Sequence, residues 1–245
     1  MQKTNKWILL RGLARGKGHW GSFPEEMQKF FPDAQIEMID LPGNGERNSE
    51  QSPLSVPEYV KDMRAQSQFV KEGEPYQILA VSLGAMIAVQ WMKEHPAEVI
   101  KAHLICTSSA STSPFYHRYQ LPNYLPTLRM FAQPNPEIYE QTILKMTTND
   151  LNRRALEYPR LLNYSKRFPE KRGNVLRQLI AASRFQIPEK APGVINLMGS
   201  FGDRLVSPRC TLSLGKRWGI EPHMHNAAGH DVPIDDPRWV LEHLL

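Results

Sequence analysis

An α/β fold with a mostly parallel sheet of about six strands, flanked by helices, is what the sequence predicts. Short apolar runs alternate regularly with amphipathic stretches, the pattern of strands buried on both faces and joined by helical crossovers. The alternation breaks only once, from about Ser108 to Phe185, where no strand-like run occurs. The expected strands are Trp7–Leu10, Ile36–Leu41, Tyr76–Val81, Ala102–Thr107, Val194–Gly199 and Pro222–Asn226. Helical patterning lies between them near Trp20–Phe31, Val56–Lys71, Gly84–His95, Pro208–Trp218 and Pro237–Leu245. The interruption is helix-patterned and rich in Tyr and Arg, with Pro114, Pro122, Pro126, Pro134 and Pro136 as punctuation and "TSSASTSP" as its hinge. This divides the chain into a core, residues 1–109 and 186–245, and a helical lid-like insertion, residues 110–185.

The 245 residues, 41% of them hydrophobic, suffice for one well-buried core. The first apolar run, Trp7 to Leu10, stops at Arg11, far short of a signal-peptide core or membrane span, so a cytoplasmic protein without a membrane span is expected. Cys106 and Cys210 have neither metal-ligand spacing nor a disulfide framework. The net charge of +5 is local: Leu151 to Arg184 holds nine basic residues against two acids, a balance of +7, which leaves −2 for the rest. No nucleic-acid-binding signature accompanies that charge, so nucleic acid is not an expected partner. The charge is either a solvated helical face or, through Arg153 and Arg154, a docking site for an acidic carrier protein.

The stretch "WILLRGLARGKGHWGSF" turns from a strand into a loop with four glycines and three basic residues. It is no Walker phosphate loop: three residues rather than four separate Gly12 from Gly16-Lys17, and Gly18 has no hydroxyl to offer magnesium. What it offers is backbone N–H groups to a developing negative charge. In "YQILAVSLGAMIAVQWM" strand-like residues run to Val81, Ser82 follows, and a helix opens at once. A serine on such a strained strand-to-helix turn needs small residues two before and two after it, here Ala80 and Gly84. A serine nucleophile needs a base, and the base an orienting acid. His230 in "AAGHD" follows the last strand, and Asp203 in "INLMGSFGDRLVSP" lies just beyond another, so both belong at the carboxyl edge of the sheet. The Thr107–Ser113 stretch after the preceding strand offers no competing acid. His223 and His225 share a strand face and, with His230, suggest zinc; that reading leaves Ser82 and Asp203 unexplained, and neither metal nor cofactor is expected.

The order Ser82, Asp203, His230, the elbow around Ser82 and "DLPGNGERNS" after the second strand together resemble the α/β-hydrolase superfamily over nearly the whole chain. The resemblance implies an oxyanion hole made by the backbone N–H groups of Leu13 and Leu83. Departures are Arg11-Gly12 in place of the usual His-Gly, Ala80 in place of glycine, and a core that starts at the family's third strand. The activity implied is a serine hydrolase cleaving a carboxylic ester or thioester of a small or medium acyl group through an acyl-enzyme. The same triad also serves lyases or synthases and carrier-linked esterases, and the fold also serves non-catalytic binding proteins. Arg15 and His19 in the oxyanion loop, and Tyr116, Tyr119, Tyr124, Phe131 and Tyr164 in the insertion, are candidate substrate or lid contacts.

Overall fold

The computed structural model describes residues 4–133 and 135–245, so Pro134 among the insertion's prolines lies outside it. Six strands, β1 (Lys6–Leu10), β2 (Gln35–Met38), β3 (Tyr76–Val81), β4 (Val99–Ile105), β5 (Ile195–Ser200) and β6 (His223–His225), form one sheet in the order β2-β1-β3-β4-β5-β6. Every pairing is parallel. The helices are α1 (Phe23–Phe30), α2 (Val56–Gln66), α3 (Gln68–Glu72), α4 (Leu83–Glu94), α5 (Phe115–Arg118), α6 (Tyr124–Ala132), α7 (Pro136–Thr147), α8 (Leu151–Arg167), α9 (Arg172–Arg184), α10 (Arg209–Trp218), α11 (Val232–Asp235) and α12 (Pro237–Glu242).

The period of two along β1 explains its continuous apolar run. Ile8 and Leu10 enter a core with Val60 and Met63 of α2 and Trp91 of α4. Trp7 and Leu9 enter the opposite core with Trp20, Met27 of α1 and Val240 of α12. Helices therefore cover both faces. Because all strands run the same way, the loops after β1, β3, β4, β5 and β6 gather at one edge of the sheet. Helices α5 to α9 are inserted between β4 and β5.

Some bounds differ from those expected, each for a local reason. Strand β2 ends at Met38 rather than Leu41; Asp40 beyond it accepts hydrogen bonds from Lys17 N at 2.5 Å and Glu46 N at 2.9 Å. The single helix expected over 56–71 is two, because Ser67 leaves helical backbone to cap α3, its Oγ accepting from Val70 N. Helix α1 begins at Phe23 because residues 17–20 form a 3₁₀ turn. Helix α12 stops at Glu242, and the four-residue α11 after His230 had no signal in the apolar pattern.

Candidate active site

Strand β3 drives straight into α4 through Ser82, which holds φ 57° and ψ −114°. A non-glycine residue at positive φ is strained and persists only where its surroundings enforce it. Here Ser82 N donates to Ile105 O at 2.9 Å, and Thr107 Oγ1 donates to Ser82 O at 3.0 Å. Small neighbours make room for the turn: a Cβ on Gly84 would stand 2.6 Å from both Leu10 O and Arg11 O, and one on Gly12 would stand 3.1 Å from Ser82 Cβ. Gly84 is thus the residue that lets the elbow lie against the end of β1. Leu13 and Leu83 line the same cavity as Ser82, and among the described residues neither backbone amide donates to a protein acceptor.

Asp203 follows β5 and His230 follows β6, and the sheet edge joins them. His230 Nδ1 lies 2.7 Å from Asp203 Oδ2. Asp203 Oδ1 accepts from Leu205 N and Val206 N, each at 2.9 Å, which fixes the carboxylate. A carboxylate only accepts, so Nδ1 carries the proton and the lone pair of Nε2 is left free. Both side chains are buried. Burial alone pushes the imidazole down, but the charge and hydrogen bond of Asp203 outweigh it and raise the His230 pKa above its ordinary value. Cys106, at the end of β4 with φ 48°, brings its sulfur within 4.8 Å of the Asp203 and His230 ligand atoms. Burial, then the neighbouring Asp203 charge, hold its thiol well above the usual range, so it packs there as a neutral group.

Two arginines of the loop after β1 are tied into buried ion pairs through their terminal nitrogens. Arg11 donates to Asp231 from both terminal nitrogens, at 2.9 and 2.5 Å, and its guanidinium lies 4.9 Å from the Trp20 ring. The pair links the loop after β1 to the residue next to His230. Arg15 makes the same fork with Glu140 of α7, at 2.8 and 2.6 Å. His19 completes that network. Its Nδ1 accepts from Gly16 N at 2.9 Å, so Nε2 carries the proton toward Ser165 Oγ at 3.0 Å, and Ser165 donates to Glu140 at 2.7 Å. Burial first, then the Arg15 charge, lower the His19 pKa to about 4, which keeps it neutral.

Ser82, Leu13, Leu83 and His230 all line one cavity of about 810 Å³ between the sheet edge and the insertion. Tyr119, Tyr124 and Phe131 line it too. Of the other expected contacts, Arg15 lines the cavity and the rest lie elsewhere. Tyr116 is exposed and meets Phe115 and His117 edge-on. Tyr164 covers Gly18, where a Cβ would fall inside its ring atoms, and His19 is buried behind it. Arg15 reaches the cavity wall with its guanidinium already paired. Arg153 donates to Ile234 O, Ser22 and Glu26, and Arg154 to Thr148 O. The two arginines considered for a carrier protein are turned toward the chain's own acids and carbonyls. His223 packs on His243, and His225 Nδ1 accepts from Ala227 N and Ala228 N, so neither converges on His230. Sequence reasoning missed Asp231 and Glu140, whose partners lie 220 and 125 residues away. It also missed Tyr139 and Arg118 on the cavity wall.

A sequence model described as "Alpha/beta hydrolase family" matches residues 7–243. A search of curated sequences finds no match. Among solved structures, the chain is similar to the 2-hydroxy-6-oxo-6-phenylhexa-2,4-dienoate hydrolase of a Rhodococcus species, with TM-score 0.72 and 18% identity over 98% of this chain and 90% of that one. It is also similar to a lipase-esterase related protein from Clostridium acetobutylicum, with TM-score 0.69 and 14% identity over 99% and 94% of the two chains. A thermophilic esterase from Thermogutta terrifontis gives TM-score 0.67 and 14% identity over 98% and 87%. At these identities the likeness is one of fold.

Proposed function

The chain belongs to the alpha/beta hydrolase family, and from that premise we propose that it cleaves a carboxylic ester or thioester of a small or medium acyl group through an acyl-enzyme on Ser82. The observation that carries this reading is the shared cavity: a serine held at φ 57° opens into the same space as a buried histidine bonded at 2.7 Å to Asp203. Ser82 Oγ attacks the carbonyl while His230 Nε2 takes its proton, and Asp203 holds the imidazole and stabilises the imidazolium. The tetrahedral oxyanion is received by the Leu13 and Leu83 amides; one such donor is typically worth about a hundredfold to a thousandfold in rate. His230 then protonates the leaving group, and water activated by the same nitrogen releases the acid.

The cavity wall is mostly apolar, with Met86, Met130, Ile143 and Val175 among its residues, which suits an acyl chain rather than a polar one. The test is a series of p-nitrophenyl esters and matching thioesters of increasing acyl length. The expected result is kcat/KM rising by about fourfold per added methylene until the cavity fills, and lost in Ser82→Ala. Turnover that survives Ser82→Ala, or no turnover of any ester or thioester by the folded wild type, contradicts the reading.

A further inference from the structure

Three arginines line the cavity, and their charges are handled differently. Arg11 is neutralised by Asp231 and Arg15 by Glu140. Arg118 of α5 has no acidic partner among the described residues. Its Nε donates to Ser108 Oγ at 3.3 Å, Nη1 to Ser183 O at 3.3 Å and Nη2 to Ala182 O at 2.6 Å. Ala182 and Ser183 belong to the last turn of α9, so Arg118 caps that helix. These bonds occupy three of its five N–H donors and supply no counter-charge. Two donors, one on each terminal nitrogen, are left on a half-buried cation at a mostly apolar wall. Burial destabilises that charge and lowers the Arg118 pKa, a cost that an incoming anion removes.

The guanidinium is also tied to the elbow. Ser108, which accepts from Arg118 Nε, follows Thr107, which donates to Ser82 O. A group bound at Arg118 is therefore held in a fixed relation to the serine. We propose that Arg118 is the subsite for an anionic group of the substrate, a carboxylate carried on either side of the scissile ester, with the remainder of the molecule against the apolar wall. This rests on the reading of the cavity as an acyl-ester site and narrows it to an amphiphile with one charged end. The low-polarity surroundings strengthen the pairing relative to a surface one.

The experiment uses Ser82→Ala protein, so that binding is read without turnover and its outcome is separate from whether the chain hydrolyses esters. Calorimetry measures Kd for two isomeric anions: methyl hydrogen glutarate, with its carboxylate on the acyl side, and 4-acetoxybutyrate, with its carboxylate on the alcohol side. Each is compared with its uncharged methyl ester. The expected result is that at least one anion binds about tenfold to a hundredfold more tightly than its ester, and the anion that does so identifies the side that carries the charge. Adding Arg118→Met abolishes the preference, whereas Arg118→Lys keeps part of it. Equal affinity of acids and esters in the Ser82→Ala protein overturns the proposal even if the Met variant fails to fold, and so does a preference that survives in folded Arg118→Met.

Discussion

Arg11 and Arg15 leave the same loop four residues apart, and each forks onto a buried carboxylate, yet the carboxylates belong to different parts of the molecule. Asp231 sits beside His230 at the end of the sheet, while Glu140 sits on α7 of the insertion and shares its oxygen with Ser165 of α8. Leu13 lies between the two anchors. The first pair sets the loop against the histidine, and the second sets the insertion against the loop. A buried pair of this kind adds little net stability over an apolar replacement, but it is costly to break from one side. Its value here is that it fixes where Leu13 and His230 stand.

Disturbing each side separately sharpens that contrast. Removing the orienting charge sets the upper scale: Asp203→Asn is expected to lower kcat by about 10⁴-fold on esters that the wild type turns over, with little change in fold. Breaking the insertion-side pair comes next. Glu140→Leu leaves the Arg15 guanidinium buried and alone, and urea unfolding should show a loss of about 3–5 kcal/mol. Adding Arg15→Met should restore most of it; no recovery in the double variant would mean that Glu140 acts through Ser165 and His19 instead.

Breaking the histidine-side pair should act on activity more than on the insertion. Arg11→Met is expected to lower kcat by about a hundredfold through displaced geometry. It also carries a distinct signature in the pH profile. His230 works as a base only when neutral, and its pKa is raised, so the acid limb of wild-type kcat/KM should lie above the ordinary imidazole value of about 6.5. The Arg11 charge holds that pKa down, so the limb should move to higher pH in Arg11→Met. If the limb stays put, Arg11 does not act on His230 electrostatically.

The smallest effect concerns His19. Its folded pKa is depressed to about 4, so its contribution to stability is complete above pH 6.5 and is lost as pH falls toward 4. Between pH 7 and pH 5 this amounts to about 2 kcal/mol, read by urea unfolding at the two pH values. His19→Gln should lose this part of the slope.

Much of this site was legible in the sequence, for physical reasons. Strands buried on both faces write continuous apolar runs, so β3 was predicted with its observed bounds, Tyr76–Val81. The elbow was legible because its geometry demands small residues at fixed offsets, and Gly84 meets that demand against Leu10 O and Arg11 O. Asp203 and His230 were picked out by lying past strands whose carboxyl ends share an edge. What stayed hidden was pairing across long separations. Nothing periodic connects Arg11 to Asp231 or Arg15 to Glu140, and the departure from His-Gly at Arg11 became intelligible only through its partner. The positive charge of the insertion was visible as composition, but the inward pairing of Arg153 and Arg154 with carbonyls and acids was not. Arg118, with no acidic partner among the described residues, drew no notice in the sequence.

The account turns on Ser82 being an activated nucleophile, and intact-mass spectrometry after treatment with a fluorophosphonate tests that most directly. The account predicts one adduct on the wild-type protein and none on Ser82→Ala. An unmodified wild type that is demonstrably folded, or an adduct that persists in Ser82→Ala, would contradict it.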